Sequence, residues 1–263
     1  MRGGTLTLEV GIRCNNRCGH CHQAVLRFAG PVEGEPSTGE LLDGIGRARH
    51  EGYDEIAFTG GEPTLRRDLP DLIRAARAAG FERASVTTNG RMLSYPAYAR
   101  TLIEAGLTGI SVSLHGPDAM LHDGVTGAPG SFRQAAKGLT VVIATAAAAG
   151  VPLQACTITV LTPATLPRLR ETLCLAGSLG TRLHILQPFI VSRETLHLAP
   201  QHLAGLDELI EGIERAVAGG LPHGGRIKPY NLPPCRLTHL GEVLEVQSYR
   251  TVTHKEHEQD SPD

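Results

Sequence analysis

Short runs rich in β-branched residues alternate with Ala/Leu-rich stretches of helical period through most of this 263-residue chain, and that alternation restricts the fold more than any other feature. Strands are expected near 5–12 (TLTLEVGI), 55–59 (EIAFT), 83–88 (RASVTT), 109–114 (GISVSL), 153–161 (LQACTITVL) and 182–190 (RLHILQPFI). Helices are expected near 38–51, 67–80, 95–106, 131–149, 166–178 and 202–218, several ending at a glycine of the C-cap kind. A strand followed by a helix, repeated about six times, builds a parallel sheet through right-handed crossovers. Six units are too few for a closed eight-stranded barrel, which leaves an open barrel or a doubly wound sheet. The reading adopted is an α/β fold, a partial (β/α)6 TIM-like barrel with a short C-terminal extension. In either architecture function collects at the C-terminal ends of the strands.

The core is expected over 1–190, and a C-terminal helix and extension covering the barrel over 191–250. A polar, disordered tail is expected over 251–263 (TVTHKEHEQDSPD). From residue 220 the texture turns to Gly- and Pro-rich sequence with room for at most two short strands. A formal net charge of −2 supplies no basic field for nucleic acid, and 4% aromatic residues do not make a base-stacking platform. The opening MRGGTLTLEVGIR lacks the apolar core of a signal peptide, and VVIATAAAA is too short to span a bilayer. A cytoplasmic protein with no membrane partner is expected. Thiols stay reduced there, so clustered cysteines point to metal or redox chemistry.

Three of the six cysteines crowd into RCNNRCGHCHQ, where Cys14, Cys18 and Cys21 form a C-x3-C-x2-C loop directly after the first strand. Structural zinc takes four ligands, and the nearest fourth candidates, His20 and His22, adjoin Cys21 and suit a shared centre poorly. A four-iron cube held by three thiolates keeps one iron open to an outside ligand. A structural zinc loop and three unconnected thiols stay as alternatives on spacing alone. One unit later, FTGGEPTLRRDL ends the second strand with Gly60, Gly61, Glu62 and Pro63. Paired glycines permit positive φ and close backbone approach, and proline stiffens the exit.

The cysteine spacing and the GGEP turn, in this order and one βα unit apart, resemble the signature of the radical SAM superfamily, with His20 in a slot usually held by an aromatic residue. The resemblance covers roughly residues 5 to 190. It implies a [4Fe–4S] cluster on Cys14, Cys18 and Cys21, with S-adenosylmethionine (SAM) chelating the open iron and Gly60–Pro63 beside its amino group. It also implies SAM contacts from Thr88 and Asn89 in VTTNG and from Ser113 in SVSLHG. Gly130-Ser131 offers a helix cap, while Arg133, His115 and His122 read more simply as solvated side chains.

The resemblance further implies reductive cleavage of SAM to a 5′-deoxyadenosyl radical that abstracts hydrogen from a substrate. The expected activity is therefore oxygen-sensitive oxidoreductase or isomerase chemistry, a tailoring modification of a peptide or small metabolite, with epimerisation among the options. A one-electron reductant such as flavodoxin or ferredoxin is the expected partner. Cys156 and Cys174 read as core residues. Cys235 in NLPPCRL could return a hydrogen atom to a substrate radical, and no SPASM-type cysteine cluster follows it. A glycyl-radical-enzyme activase and a noncatalytic metal-binding module are the other function classes.

Overall fold

The computed structural model describes residues 4–21, 23, 35–193 and 195–245, together with the backbone of 251–253. Its strands are β1 (Thr5–Glu9), β2 (Glu55–Thr59), β3 (Arg83–Thr88), β4 (Gly109–Ser113), β5 (Gln154–Leu161), β6 (Leu183–Pro188), β7 (Arg226–Pro229) and β8 (Thr251–Thr253). They form one sheet in the order β7-β6-β5-β4-β3-β2-β1-β8, with every described pairing parallel. The strand order never reverses between β1 and β7, as in a barrel wall, and the two edge strands do not pair with each other. This is the open, partial-barrel arrangement rather than the doubly wound one, because a doubly wound sheet turns back at a switch point.

The helices are α1 (Thr38–His50), α2 (Leu69–Ala78), α3 (Pro96–Glu104), α4 (Ala119–Thr126), α5 (Ser131–Ala148), α6 (Leu169–Ser178), the single turn α7 (Ala199–His202) and α8 (Leu206–Val217). Each strand sends alternate residues to the two faces of the sheet. Ile56 and Phe58 of β2, Ala84 and Val86 of β3, and Ile110 and Val112 of β4 are buried against the helices. On the opposite face Ser85, Thr87, Ser111 and Ser113 are only half-buried, so the inner wall is polar. A helix entry is equally legible in α1. Ser37 accepts from the Glu40 N–H while the Glu40 carboxylate accepts from the Ser37 N–H, a complete capping box, and Leu41, Ile45 and Ala48 share the buried face. A second apolar cluster joins Leu161 and Leu186 to Leu169 and Leu173 of α6, Ile210 and Ile213 of α8, and Ile227 of β7.

Four expectations need adjustment. The strand expected over 5–12 stops at Glu9, because Gly11 to Arg13 pair with the glycine turn rather than running on as a strand. The stretch 119–126, outside the expected helices, is helix α4 with Asp118 as its N-cap, its side chain accepting from the Leu121 N–H. The cap expected from Gly130-Ser131 comes instead from Asp123, which accepts from the Gly130 N–H at 2.6 Å, the Phe132 N–H at 2.7 Å and the Ser131 hydroxyl at 2.9 Å. Burial works against that carboxylate, but these donors outweigh it and hold its pKa below the usual value. Of the tail expected over 251–263, Thr251–Thr253 lie alongside β1 as β8, and 254–263 fall outside the described residues.

Candidate functional site

Cys14, Cys18 and Cys21 all lie on the loop that leaves the C-terminal end of β1, each partly exposed. Cys14 Sγ accepts from the Asn16 N–H at 3.4 Å and from Asn89 Nδ2 at 3.9 Å. N–H groups aimed at sulfur are a means by which proteins hold and tune iron–sulfur ligands, so the donor set fits a thiolate-bound cluster. Among the described residues no three His, Cys, Asp or Glu side chains are gathered to clasp a metal ion. The corners of an iron–sulfur cube hold their thiolates farther apart than a single ion would. Of the two histidines considered as fourth zinc ligands, His22 lies outside the described residues.

The glycine turn is joined to this loop through the main chain. The Gly61 N–H donates to Gly11 O at 2.6 Å and the Glu62 N–H to Arg13 O at 2.7 Å. A Cβ on Gly61 would run into the Arg13 and Ile12 carbonyl groups, and Gly60 adopts φ 110° directly over Gly11 O, so only glycine allows the approach. Pro63 begins a tight helical turn over 63–65, capped by Glu62. The Glu62 carboxylate is 3% exposed and turned inward. It accepts from Thr88 Oγ1 at 2.6 Å, from the Asn89 N–H at 2.7 Å, and from both the N–H and hydroxyl of Thr64. Burial raises its pKa, and those donors offset only part of the shift.

Thr88 and Asn89 therefore face the turn and the cysteine loop together. Thr88 is committed to Glu62 and accepts from the Gly90 N–H, whereas Asn89 Nδ2 reaches Asn15 Oδ1 at 2.6 Å. Ser113 ends β4 on the polar inner face, half-buried. Arg133 lies in the first turn of α5. The opposite side of the cysteine loop docks on the end of α4, where the Arg17 N–H donates to Thr126 O at 2.8 Å and the Gly19 N–H to Val125 O at 3.3 Å.

His115 and His122, read as solvated, are 3% and 1% exposed. The His20 and His115 rings meet edge-on at 5.0 Å, and His115 stacks on His122 at 5.7 Å. His122 Nδ1 accepts from the His115 N–H at 3.1 Å, and His115 Nδ1 accepts from the Val160 N–H at 3.3 Å. Burial holds His115 well below the usual imidazole range, with His20 and His122 adding to the effect, and pushes His122 down to about 4. Both are neutral rings at pH 7. His20 thus occupies the aromatic slot against a buried imidazole wall. From the other side His202 of α7 comes so near that a Cβ on Gly19 would sit 3.2 Å from its Nε2. The segment after β6 thus arches over to the cysteine loop.

Cys156 is buried as expected, but on the inner face of β5, with its Sγ 3.0 Å from Ser111 Oγ, and burial raises its pKa. Cys174 is half-buried on α6. Cys235 is exposed in a tight turn after β7, at the same end of the sheet as the cysteine loop. The residues unmarked by motif are Asn15, Asn16, Thr64, Arg91, Gln134 and His202. A polar residue inside a motif loop was the only available signal, and it identified Asn15 and Asn16 no better than their neighbours.

A model of the Radical SAM superfamily matches residues 8–173. Among curated relatives, an AdoMet-dependent heme synthase of Oleidesulfovibrio alaskensis is 38% identical over 131 residues, which make up 50% of this chain and 33% of that protein. A probable GTP 3′,8-cyclase of Archaeoglobus fulgidus is 40% identical over 128 residues, 46% of this chain and 39% of that protein. The matched stretches thus cover well under half of these relatives. Among solved structures, Streptococcus suis SuiB bound to S-adenosylmethionine superposes with a TM-score of 0.71 at 14% identity, covering 94% of this chain and 54% of that one. Methylornithine synthase superposes with a TM-score of 0.62 at 12% identity, covering 92% and 70%. With the family model spanning well over half of its residues, the chain belongs to the radical SAM superfamily, whose cofactors are a [4Fe–4S] cluster and S-adenosylmethionine.

Proposed function

We propose that Cys14, Cys18 and Cys21 hold three irons of the cluster, that Gly60–Pro63 with Asn89 and Ser113 flank bound SAM, and that the protein abstracts hydrogen from a peptide or small-metabolite substrate. The observation that carries this reading is the main-chain junction between the cysteine loop and the glycine turn, Gly61 N–H to Gly11 O and Glu62 N–H to Arg13 O, which places both motifs side by side at the ends of adjacent strands. When bound and reduced, the cluster supplies the electron that splits SAM to a 5′-deoxyadenosyl radical. Gly60 and Gly61 bring bare backbone up against the cysteine loop, an approach that any side chain would block. Glu62, Thr64 and Thr88 keep that turn rigid from below. His202 approaches the loop at Gly19, and the segment after β6 would serve as the cover that excludes water and stray hydrogen donors.

SuiB has been solved with its precursor peptide, whereas the curated relatives are named for heme synthesis and GTP cyclisation, so the substrate class spans both kinds. Electrons would come from a flavodoxin- or ferredoxin-type donor. No described helix is long and apolar enough to cross a membrane. Anaerobic reconstitution with ferrous iron and sulfide, followed by reduction in the presence of SAM, should give a visible charge-transfer band and free 5′-deoxyadenosine. The variant with all three cysteines changed to alanine should give neither. Zinc retention with no 5′-deoxyadenosine would refute the reading in favour of a noncatalytic metal-binding module. A glycyl radical appearing on a second protein would instead support the activase class.

A further inference from the structure

Arg91 lies just beyond β3, and no motif marks it. Its guanidinium is held on both sides of its fork. Nη1 donates to the Asn15 carbonyl oxygen and, at 3.1 Å, to Asn16 Oδ1, while Nε donates to Gln134 Oε1 of α5 at 2.6 Å. The two asparagines so held are the residues between Cys14 and Arg17. Asn16 is 2% exposed, and its own N–H donates to Cys14 Sγ. Another donor to that sulfur, Asn89 Nδ2, also bonds Asn15 Oδ1, and Asn89 Oδ1 accepts from the Arg91 N–H at 3.0 Å. These two contacts on the Cys14 sulfur therefore run back to residue 91, the Asn16 one through the Arg91 guanidinium and the Asn89 one through the Arg91 main-chain N–H.

We propose that Arg91 is a positioning residue for the iron–sulfur cluster: through the bonds of its guanidinium to Asn15 and Asn16 it sets the orientation of Cys14, and it places a fixed positive charge beside that corner. The proposal rests on Cys14 being a cluster ligand. A planar fork that bonds a main-chain carbonyl, an asparagine and a glutamine at once has no equivalent in lysine, whose single ammonium can satisfy part of the set. A fixed cation favours the more negative, reduced state of the cluster, so its removal lowers the midpoint potential. Losing an outer-sphere partner of this kind costs on the order of 10-fold in metal affinity.

The test reconstitutes the parent, R91M, R91K and Q134L anaerobically with ferrous iron and sulfide. Iron per chain, the electron paramagnetic resonance signal and the midpoint potential are measured, with thermal melting of each apoprotein as the folding control. R91M should melt as a folded protein, hold iron about 10-fold more weakly and show a lower potential. R91K should recover the potential but only part of the iron affinity. Q134L keeps the charge and loosens the fork, so it should lose iron affinity at an unchanged potential. Parent-like loading and signal in both R91M and Q134L would overturn the proposal, as would full recovery of affinity in R91K. If R91M does not fold, Q134L alone decides. A parent that takes up no cluster defeats the ligand assignment itself, which is a separate result read before any variant.

Discussion

Thr88 donates its hydroxyl to the Glu62 carboxylate at 2.6 Å, and through that bond the end of β3 sets the shape of the glycine turn at the end of β2. A motif that reads as a ligand contact is, in its side chain, an internal brace.

The brace has a pH signature. Burial lifts the Glu62 pKa above 4.5, so between 4.5 and the folded value the native state binds more protons than the unfolded one, and stability falls as pH rises through that window. Glu62→Gln removes this slope. It also sets an amide N–H against one of the donors around the carboxylate, which costs about 1–3 kcal/mol. In urea titrations of the apoprotein the variant should be less stable by the larger margin below pH 4.5, with the gap narrowing above it. A gap independent of pH would contradict the account.

Gly61→Ala places a methyl group against the Arg13 and Ile12 carbonyls, which are main chain and cannot rotate away. The expected destabilisation is about 1–3 kcal/mol, together with loss of reconstituted iron, because the cysteine loop must shift to make room. Thermal melting and iron analysis of the same preparation would show both effects. Unchanged iron content would mean that the loop does not depend on the turn.

Arg66 grips both Asp68 carboxylate oxygens, at 2.9 and 2.6 Å, and bonds Val10 O and Pro36 O with its remaining nitrogen. Chiefly through that guanidinium, the Asp68 pKa is lowered from 3.8 to about 2. Its stabilising contribution is complete above 3.8, declines as the pH falls below that value, and is gone below about 2. Asp68→Asn should therefore flatten the acid limb of the apoprotein stability curve in this interval, and an identical acid limb in both proteins would exclude the effect.

The approach of His202 to Gly19 can be measured as a coupling. Gly19→Ala should be costly with His202 in place and nearly silent in the H202A background, because the added Cβ meets the imidazole at 3.2 Å. Contacting residues couple by about 0.5–3 kcal/mol. A double-mutant cycle on thermal stability giving additive effects would place the segment after β6 away from the cysteine loop.

The legible parts of this molecule are those in which neighbouring residues act together. The strand cores EIAFT and RASVTT fall at 55–59 and 83–88 because alternation is a local pattern, and the cysteine and GGEP motifs stand out because their members lie within a few residues. His115 and His122 were misread as solvated because a polar side chain in a loop carries no mark of burial. The short helix α4 was missed because the residues it buries, His122 and Thr126, are polar and its cap, Asp118, has no Glu or Gln three residues on.

Taken alone, the residues determined a parallel βα fold, a three-thiol loop and a glycine turn on consecutive units, since periodicity and spacing depend only on what lies nearby along the chain. Only the tertiary structure decided that Arg91 and Asn89 hold the Cys14 corner, that His115 backs His20 and that His202 arches over Gly19. Those contacts join residues 74 to 183 positions apart. Hydrogen bonds and ring packing act over a few ångströms of space, and a strand's end comes within reach of the cysteine loop only after the sheet has assembled.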